Sequence, residues 1–487
     1  MTRMMTLLPL LALGSLAACG YGSKDEASWD ATYGAASETA LEPLEEPLDD
    51  EEPIDASCDV DSPVTLYVSP DDSNSMSSPV QAREAALDGN LHRAPIRTWE
   101  FFNYAQWDYP PAAQGELDVH LALAEGDEAG DYNLQVGIAS EQIDPDERDP
   151  IVLTFSIDQS CSMSGAPMDR VKDSLVAVAG QLRQGDLVNL LGWSNGQHVY
   201  LDGHTITGPN DPAFVTAAKG LNTDGGTDLA GGLKAAYRMA ETYQTSGVIN
   251  RVVLMSDGGA NIGATDEELI GGKAGANDEQ GIYLIGVGTG TASTYNDVLM
   301  DRVTDLGRGS AVFIPSKAEA QHVFGDRFLE TMATTARDVQ IRYDLPPGFE
   351  VVRFSGEEIS TDPEEVQPQH VAPNDAVVLH QQLHTCDPAV DLDAEVTVTV
   401  SYLDGVTFAP REATVTATLG ELLAVDDPQL LKGAAVFAYA ETLRHLRGDD
   451  SMAEPGEAWT TLEAAEAANP GDADLAGIRE VLDALGI

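Results

Sequence analysis

The sequence predicts an α/β protein built around a doubly wound, Rossmann-like, mostly parallel sheet, with a β-sandwich contributed from both sides and a C-terminal helical segment. Between about residues 150 and 333, short apolar runs alternate with helical patterns, which is typical of a parallel sheet. On both sides of this stretch the apolar residues alternate with polar ones between Gly, Pro and Asp, which indicates antiparallel strands. With 487 residues, 43% of them apolar, the chain can build two or three cored domains.

The central stretch begins with residues 151–157, which are nearly all apolar or β-branched, as expected of a strand buried on both faces. Apolar residues at spacings of three and four over 168–182 then predict a helix. Further strands are predicted at 187–193, 251–255, 283–287 and 311–314, and further helices at 229–241, 295–306 and 317–332. Ligands of such sheets bind beyond the carboxyl ends of the strands, so the loops there are the place to look for a site.

The flanking strands are predicted at 117–123, 133–138, 339–345, 376–384, 395–402 and 412–419. Helices follow at 430–446, at 459–468 and, after the break Asn469-Pro470-Gly471, in a last segment ending at Leu485. The predicted organisation is a signal peptide (1–18), an acidic disordered tether (19–62), an N-terminal β-rich module (63–148), the α/β domain (149–335), a β-sandwich (336–421) and a helical region (422–487).

The N-terminus predicts export to the cell envelope. Arg3 precedes an apolar run and then small residues, a pattern typical of a signal peptide and too short for a spanning helix. The end of this run, Leu16-Ala17-Ala18-Cys19, resembles a bacterial lipobox, in which Cys19 is lipidated and becomes the first mature residue. Ordinary secretory cleavage after Ala18 is the alternative. Gly20 after the cysteine resembles the sorting pattern of the outer membrane.

The charge of the chain is strongly negative and excludes nucleic acid as a partner. Asp and Glu number 81 against 26 Lys and Arg, a formal net charge of −55, and such a surface repels phosphate backbones. The acids are spread along the whole chain, which favours a solubility or high-salt adaptation over an acidic-substrate role. They are dense in the tether, where they extend the chain and hold the body away from the bilayer.

Three cysteines remain besides Cys19. In an oxidising envelope Cys58 and Cys386 are the candidate disulfide pair, because both lie in polar, loop-like sequence. That pair leaves Cys161 over, and the alternative is that all three are free thiols.

Five oxygen-bearing residues lie at the predicted carboxyl ends of strands. They are Asp158, Ser160 and Ser162 after the first strand, Thr227 in a Gly-Gly-Thr-Asp loop, and Asp257 in Ser256-Asp257-Gly258. A hard dication such as Mg²⁺ takes about six oxygen ligands and keeps waters readily, and this set offers two carboxylates and three hydroxyls while leaving a place open. The bound ion (Mg²⁺, or Mn²⁺ or Ca²⁺) stays electrophilic and can accept a carboxylate from another molecule, which is adhesion without any bond being broken.

These residues, in this order, resemble the metal-ion-dependent adhesion site of a von Willebrand factor A domain. Segments outside the domain, such as 99–104 with Asp108-Tyr109-Pro110 and 295–297, are similar to bacterial von Willebrand factor A lipoproteins of the YfbK kind. The resemblance covers about residues 90–345. One departure is Cys161, where the family usually has a small residue; a buried filler is the expectation for it, and a redox-sensitive thiol is the alternative.

Other readings of the same stretch find less support. Gly192-Trp193-Ser194-Asn195-Gly196 matches the elbow of serine hydrolases, but residues 198–201 predict a strand where that elbow needs a helix. No zinc-protease or phosphate-loop motif occurs. Asp224 and Asp228 are interpreted as solvated loop acids, with a contribution to cation affinity as the alternative, and the aromatic residues of 99–109 are interpreted as core packing.

The sequence therefore predicts a non-enzymatic, lipid-anchored envelope protein of undetermined oligomeric state. It would bind, through the metal ion, a protein partner that offers an acidic side chain. The alternative is a structural envelope protein in which the ion only stabilises the fold.

Overall fold

The computed structural model describes residues 59–70, 75–245, 247–258, 281–291, 295–386, 390–449 and 455–487. The predicted signal peptide, Cys19 and nearly all of the predicted tether lie outside these residues. In the described part, the strands are β1 Val64–Ser69, β2 Asp118–Glu125, β3 Asp131–Ala139, β4 Ile151–Asp158, β5 Leu187–Trp193, β6 Gln197–Thr205, β7 Ile249–Ser256, β8 Tyr283–Gly288, β9 Ala311–Phe313, β10 Ala336–Leu345, β11 Phe349–Phe354, β12 Glu358–Ser360, β13 Gln369–Val371, β14 Ala376–Thr385, β15 Glu395–Asp404 and β16 Pro410–Thr418.

The helices of the described residues are numbered in chain order. They are α1 Ser77–Leu87, α2 Thr98–Tyr104, α3 Ala166–Gln181, α4 Pro212–Lys219, α5 Leu229–Thr242, α6 Asp297–Leu306, α7 Lys317–Gln321, α8 Phe328–Met332, α9 Leu419–Leu422, α10 Pro428–Arg447, α11 Pro455–Ala468 and α12 Ala473–Leu485. None of them is long and apolar enough to cross a membrane.

The central sheet has the strand order β6-β5-β4-β7-β8-β9. Its strands pair in parallel, except β6, which returns antiparallel to β5 at one edge. Every residue of β4 and β8 is buried, because helices cover both faces of the sheet. The predicted doubly wound fold is confirmed, and the carboxyl ends of β4, β5 and β7 lie side by side at one edge.

Two antiparallel sheets form the predicted sandwich. One has the order β12-β1-β10-β15-β16, with β13 also paired to β10, and the other has the order β11-β14-β3-β2. A shared core packs between them, including Leu134 and Val136 of β3 against Val398 and Val400 of β15. Strands that precede the central sheet in the chain therefore pair with strands that follow it: β1 lies on β10 and β3 on β14. The flanking segments share their sheets across the sequence.

A helical layer closes the molecule beside the sandwich. The first two helices, α1 and α2, pack with α10, α11 and α12 around one apolar core. Most aromatic residues of 99–109 pack in this layer: the rings of Phe101 and Tyr439 lie 5.5 Å apart, and Phe102 stacks on Trp107 at 5.7 Å. Their interpretation as core packing agrees with these contacts. Helices 77–87 and 98–104 were absent from the sequence-based prediction of a β-rich N-terminal stretch.

The predicted helix over 317–332 is interrupted in the structure. Its residues form α7, then a π-helical turn over His322–Asp326, and then α8. Arg327 follows the turn and is almost fully buried; it donates to the carbonyl oxygens of Asn103 at 3.2 Å and Tyr104 at 2.9 Å. The irregular turn thus positions the Arg327 guanidinium so that its hydrogen bonds connect the end of α2 to the central domain.

Glu319 in α7 gives a testable pH dependence. Its buried carboxylate accepts from the Tyr104 hydroxyl at 3.4 Å, and burial raises the pKa of Glu319 to about 7. The folded protein therefore binds a proton here that the unfolded chain releases near pH 4.5, so this group's contribution to stability is present below that pH and is lost as the pH rises to 7. Between pH 5 and 8, we expect the free energy of unfolding of Glu319→Gln to fall less than that of the wild type. The difference between the two falls should be on the order of 1–3 kcal/mol.

Urea unfolding at several pH values measures this difference, and the exposed Glu412→Gln serves as the matched control. An unchanged pH dependence in Glu319→Gln would contradict the assignment.

Candidate functional site

The candidate site is built on Asp158, the last residue of β4. Its side chain is fully buried, and both carboxylate oxygens are held. Oδ1 accepts from the backbone N–H of Ser160 at 2.8 Å, and Oδ2 accepts from the hydroxyl of Ser256 at 2.7 Å. Because β4 and β7 are neighbours in the sheet, the end of one strand fixes the carboxylate at the end of the other.

Ser160 and Ser162 lie on the short loop between β4 and α3. Their hydroxyl oxygens are 3.0 Å apart, and either can donate to the other. Ser160 is buried, whereas Ser162 is exposed at the surface. The alternation of the D-x-S-x-S motif thus places two hydroxyls together directly beyond the buried Asp158.

The loop that carries Thr227 is tied to this first loop by the backbone. The N–H of Cys161 donates to the carbonyl of Gly225 at 3.2 Å, and the N–H of Asp224 donates to the carbonyl of Gln159 at 2.6 Å. Thr227 itself is exposed two residues after Gly225. The prediction that it follows a strand is wrong, because α4 precedes this loop. The next residue, Asp228, caps α5 by accepting from the N–H of Gly231 at 3.0 Å. The helix start therefore fixes the loop that presents the Thr227 hydroxyl.

Asp257 follows β7 and is mostly buried, with 8% of its surface exposed. Gly258 turns the chain away with a positive φ of 78°, and its N–H donates to the Ser256 hydroxyl at 3.1 Å. The Ser256 hydroxyl thus joins the turn after β7 to Asp158. Asp257 is the first residue after β7, so it lies near the Asp158 carboxylate at the same edge of the sheet.

Electrostatics make this corner suited to a cation. Burial raises the pKa of Asp158, and the negative charge of Asp257 raises it further, while the hydrogen bonds from Ser160 and Ser256 oppose part of the shift. Two carboxylates that are removed from water and repel one another are stabilised by a dication between them. The donor set is all oxygen, which Mg²⁺ and Ca²⁺ prefer.

The described residues contain no group of three or more His, Cys, Asp or Glu side chains that could hold a metal ion. The candidate site has two carboxylates and completes its donor set with hydroxyls. The residues present fit a hard dication: Asp158 and Asp257 would supply charge, and Ser160, Ser162 and Thr227 would supply neutral oxygens. Their roles as metal ligands stay predictions.

Two residues of this site were absent from the sequence-based prediction. Ser256 is one, and Gln159 is the other: its amide donates to the Tyr200 hydroxyl at 2.8 Å and to the carbonyl of Asn222 at 2.6 Å. A Cβ at position 192 would lie 1.9 Å from the Gln159 side-chain oxygen, so a residue larger than glycine would displace that side chain. The Gln159 side chain thus holds the first loop against the second and explains the glycine at the end of β5.

A substitution at Gly258 tests the turn after β7. A Cβ there would meet the backbone nitrogen of Asn296 at 2.6 Å, in addition to the strain of the positive φ. Gly247 has nearly the same φ, 75°, with open space around it, so it is a matched control for strain alone. We expect Gly258→Ala to cost about 1–3 kcal/mol more in urea unfolding than Gly247→Ala, and to weaken Mn²⁺ binding. Equal losses in the two variants would show that the close approach to Asn296 is unimportant.

The elbow-like residues 192–196 lie at a hairpin. Gly192 and Trp193 end β5, and the chain returns directly as β6, with the N–H of Ser194 donating to the carbonyl of Gly196 at 2.9 Å. The Trp193 indole is buried and donates to the Ser156 hydroxyl at 3.1 Å. The predicted strand after the motif is present, and the helix that a hydrolase elbow needs is not found at these described residues.

The two described cysteines, Cys161 and Cys386, are both disulfide-bonded. The alternatives of three free thiols and of a redox-sensitive thiol at Cys161 are therefore wrong. The predicted partner of Cys386, Cys58, lies outside the described residues, so that pair stays a prediction. Cys161 is exposed in the loop between Ser160 and Ser162. The expectation that it is a buried filler is wrong, because the loop turns outward at this residue.

Comparison with known proteins identifies the central domain. The family model for the von Willebrand factor type A domain matches residues 153–260, from β4 past Asp257. The central sheet therefore belongs to a von Willebrand factor type A domain, which is one part of this chain. It is 29% identical over 265 residues to the uncharacterized protein YfbK of Escherichia coli, an alignment that covers 52% of this chain and 45% of that one. It is 22% identical over 236 residues to the uncharacterized protein sll0103 of Synechocystis, covering 47% and 54%.

The chain spans about half the length of the curated relatives it matches. Among solved structures, a von Willebrand factor type A protein from Catenulispora acidiphila is similar with a TM-score of 0.45 and 16% identity, covering 77% of this chain and 91% of that one.

Proposed function

We propose that this protein is a metal-dependent binding module of the bacterial cell envelope. Asp158, Ser160, Ser162, Thr227 and Asp257 would hold one divalent ion, Mg²⁺ in the first instance, and the ion would be completed by a carboxylate of a protein partner. The observation that carries the proposal is the fixed Asp158 carboxylate, with the hydroxyls of Ser160 and Ser162 3.0 Å apart just beyond it.

Two features of the geometry support binding over catalysis. Ser162 and Thr227 are exposed, so a bound ion would be reachable from outside the protein. The buried Asp158 carboxylate is held by two hydrogen bonds, which fix its orientation toward a metal ion. Such a fixed group is less suited to exchanging protons with a substrate. The chain therefore acts in this proposal as a non-enzymatic binder.

We further propose that a lipid on Cys19 anchors the protein to the outer membrane. The acidic residues of 19–62 would then extend the binding face from the bilayer, because like charges repel along the segment. Palmitate labelling of the wild-type protein and of Cys19→Ser tests the anchor, since only the wild type should take up label.

Affinity capture tests the binding role. The full chain is immobilised and exposed to envelope extract with 5 mM Mg²⁺ or with EDTA, conditions on the order of those that saturate or strip a typical site. We expect proteins that are retained with Mg²⁺, released by EDTA and absent with Asp158→Ala. Capture that is equal in all three conditions would contradict the proposal.

Thermal unfolding separates this proposal from the structural alternative. If the ion mainly stiffened the loops, EDTA would lower the unfolding midpoint strongly and no metal-dependent partner would be found. In the proposed role, chelation abolishes partner binding. It lowers the unfolding midpoint only slightly, because the stabilisation by one weakly bound ion is small.

A further inference from the structure

A small cavity lies where the central domain meets the sandwich, at the opposite end of the sheet from Asp158. Its volume is about 20 Å³, and it is lined by Arg251, Tyr283, Arg308, Ser310, Thr334 and His370, among others. Arg251 comes from the first half of β7, and His370 comes from β13 of the sandwich. The cavity is thus formed by both parts of the molecule.

Cations dominate the surroundings of this cavity. Arg251 is 5% exposed and donates to the Thr334 hydroxyl at 2.9 Å and to the carbonyl of Asn250 at 3.1 Å. Its guanidinium lies 4.9 Å from the centre of the Tyr283 ring, and that of Arg337 lies 5.0 Å from the same ring. Within the described ranges no carboxylate forms a salt bridge with either arginine.

One acid of the described part of the chain reaches this region, at its rim. Asp338 accepts from Arg308 at 3.3 Å, and both of these side chains are more than a third exposed. Among the described residues, this leaves the positive charges of Arg251 and Arg337 without a negative partner. His370 adds none, because burial and the neighbouring arginines hold its pKa well below the ordinary value.

An unpaired guanidinium inside a protein is costly. Burial, together with the charge of Arg337, lowers the pKa of Arg251 to about 9. Buried charges in proteins are normally paired, since the loss of hydration is otherwise not offset. The situation is unusual in a chain that carries 81 acids against 26 bases.

An unpaired hydroxyl faces the same cavity. Ser310 is 1% exposed, and its side-chain oxygen has no hydrogen-bond partner in the part of the chain that the structure describes. Its backbone is fixed, because the Ser310 carbonyl accepts from the N–H of Gly286 at 2.9 Å. The cavity therefore combines a buried cation, a free hydroxyl donor and room for one small species.

We propose that this cavity binds a single chloride-sized anion that joins the central domain to the sandwich. A volume of about 20 Å³ accommodates a species of about the size of one water. It excludes sulfate, phosphate and organic acids. Arg251 and the Ser310 hydroxyl are the expected ligands, with Arg337 contributing charge from beside Tyr283.

Anion-dependent unfolding tests the site in the full-length protein. At constant ionic strength, chloride replaces gluconate, which is too large to enter. We expect the unfolding midpoint of the wild type to rise by about 3 °C when chloride reaches a hundred times its dissociation constant. Arg251→Met should lose this dependence, Ser310→Ala should weaken it, and Arg342→Met, at an exposed arginine of β10, should keep it. Equal midpoints in chloride and gluconate, or full chloride dependence in Arg251→Met, would overturn the proposal.

Bromide provides a test that does not depend on whether Arg251→Met folds. A crystal of the wild-type protein grown or soaked in bromide should show an anomalous peak in the cavity beside Arg251. A water-sized density without anomalous signal would mean that water fills the cavity, and the proposal would be wrong.

Discussion

Asp158→Ala is expected to lower the affinity for Mg²⁺ or Mn²⁺ by at least about 100-fold. Loss of a residue that merely orients a metal ligand typically costs 10–100-fold, and Asp158 supplies one of the two carboxylates of the candidate site. Calorimetric titration of the metal-free protein with Mn²⁺ measures the change. Partner capture should disappear with it.

Asp224→Ala is the matched control for this variant. Asp224 is an exposed acid on the neighbouring loop, and its backbone N–H, which the substitution keeps, bonds to Gln159. A solvated loop acid should change the affinity by less than about threefold, since exposed charges interact weakly through water. If Asp224→Ala lost as much affinity as Asp158→Ala, the ion would be held by general negative potential rather than by the proposed ligands.

The fold should survive in Asp158→Ala. The substitution removes a buried carboxylate whose charged form is already disfavoured, and it leaves the Ser256 hydroxyl and the Ser160 N–H without their acceptor. Unpaired buried donors cost about 1–3 kcal/mol, which a chain with this much core can tolerate. Circular dichroism of the variant should therefore match that of the wild type.

Arg97→Met is expected to cause the largest loss of stability, about 3–5 kcal/mol at pH 8. The Arg97 guanidinium is buried and binds three acids: Glu100, Asp297 at 2.5 Å and Asp301 at 3.6 Å. It joins the segment between α1 and α2 to the start of α6. Removing it leaves three carboxylates facing one another without a cation.

The acids around Arg97 also predict that the loss of stability depends on pH. Asp297 also accepts from Gln81 at 2.5 Å and from Ser77 at 3.1 Å, and burial raises the pKa of Glu100 to about 7 even with the arginine present. Without the cation, the pKa of the acids rises further, so the folded variant takes up protons that the unfolded chain does not. Its deficit should shrink as the pH falls from 8 to 5.5.

Urea unfolding of Arg97→Met at the two pH values measures this effect. The exposed Arg342→Met, which loses a pair with Asp344 at 3.0 Å, should cost less than about 1 kcal/mol. A deficit in Arg97→Met that is as small as this control, or that is the same at pH 8 and pH 5.5, would contradict the assigned role.

The central sheet could be predicted from the sequence because its strands carry their signal locally. Parallel strands covered on both faces are continuous apolar runs, and 187–193 was predicted with the bounds that the structure has. The helix α1 escaped prediction for the opposite reason. Its buried face includes Ser77, Ser78 and Gln81, and the side chains of Ser77 and Gln81 donate to Asp297, far away in the sequence.

The pairing of strands that are distant in the sequence could not be predicted from local sequence patterns either. β1 lies against β10 across more than 260 residues of chain, and nothing in residues 64–69 indicates that register. The site shows the same division. Four of its five predicted residues lie at the ends of β4 and β7, where the sequence pattern is local. Ser256 and Gln159 act through neighbouring strands and loops, which only the assembled sheet brings together.

The most direct test of the central claim is a crystal structure of the protein grown in millimolar Mg²⁺. We expect one ion bound by oxygens of five residues, directly or through water, with one coordination position open to solvent; these residues are Asp158, Ser160, Ser162, Thr227 and Asp257. Absence of an ion from this corner, or an ion held by other residues, would contradict it.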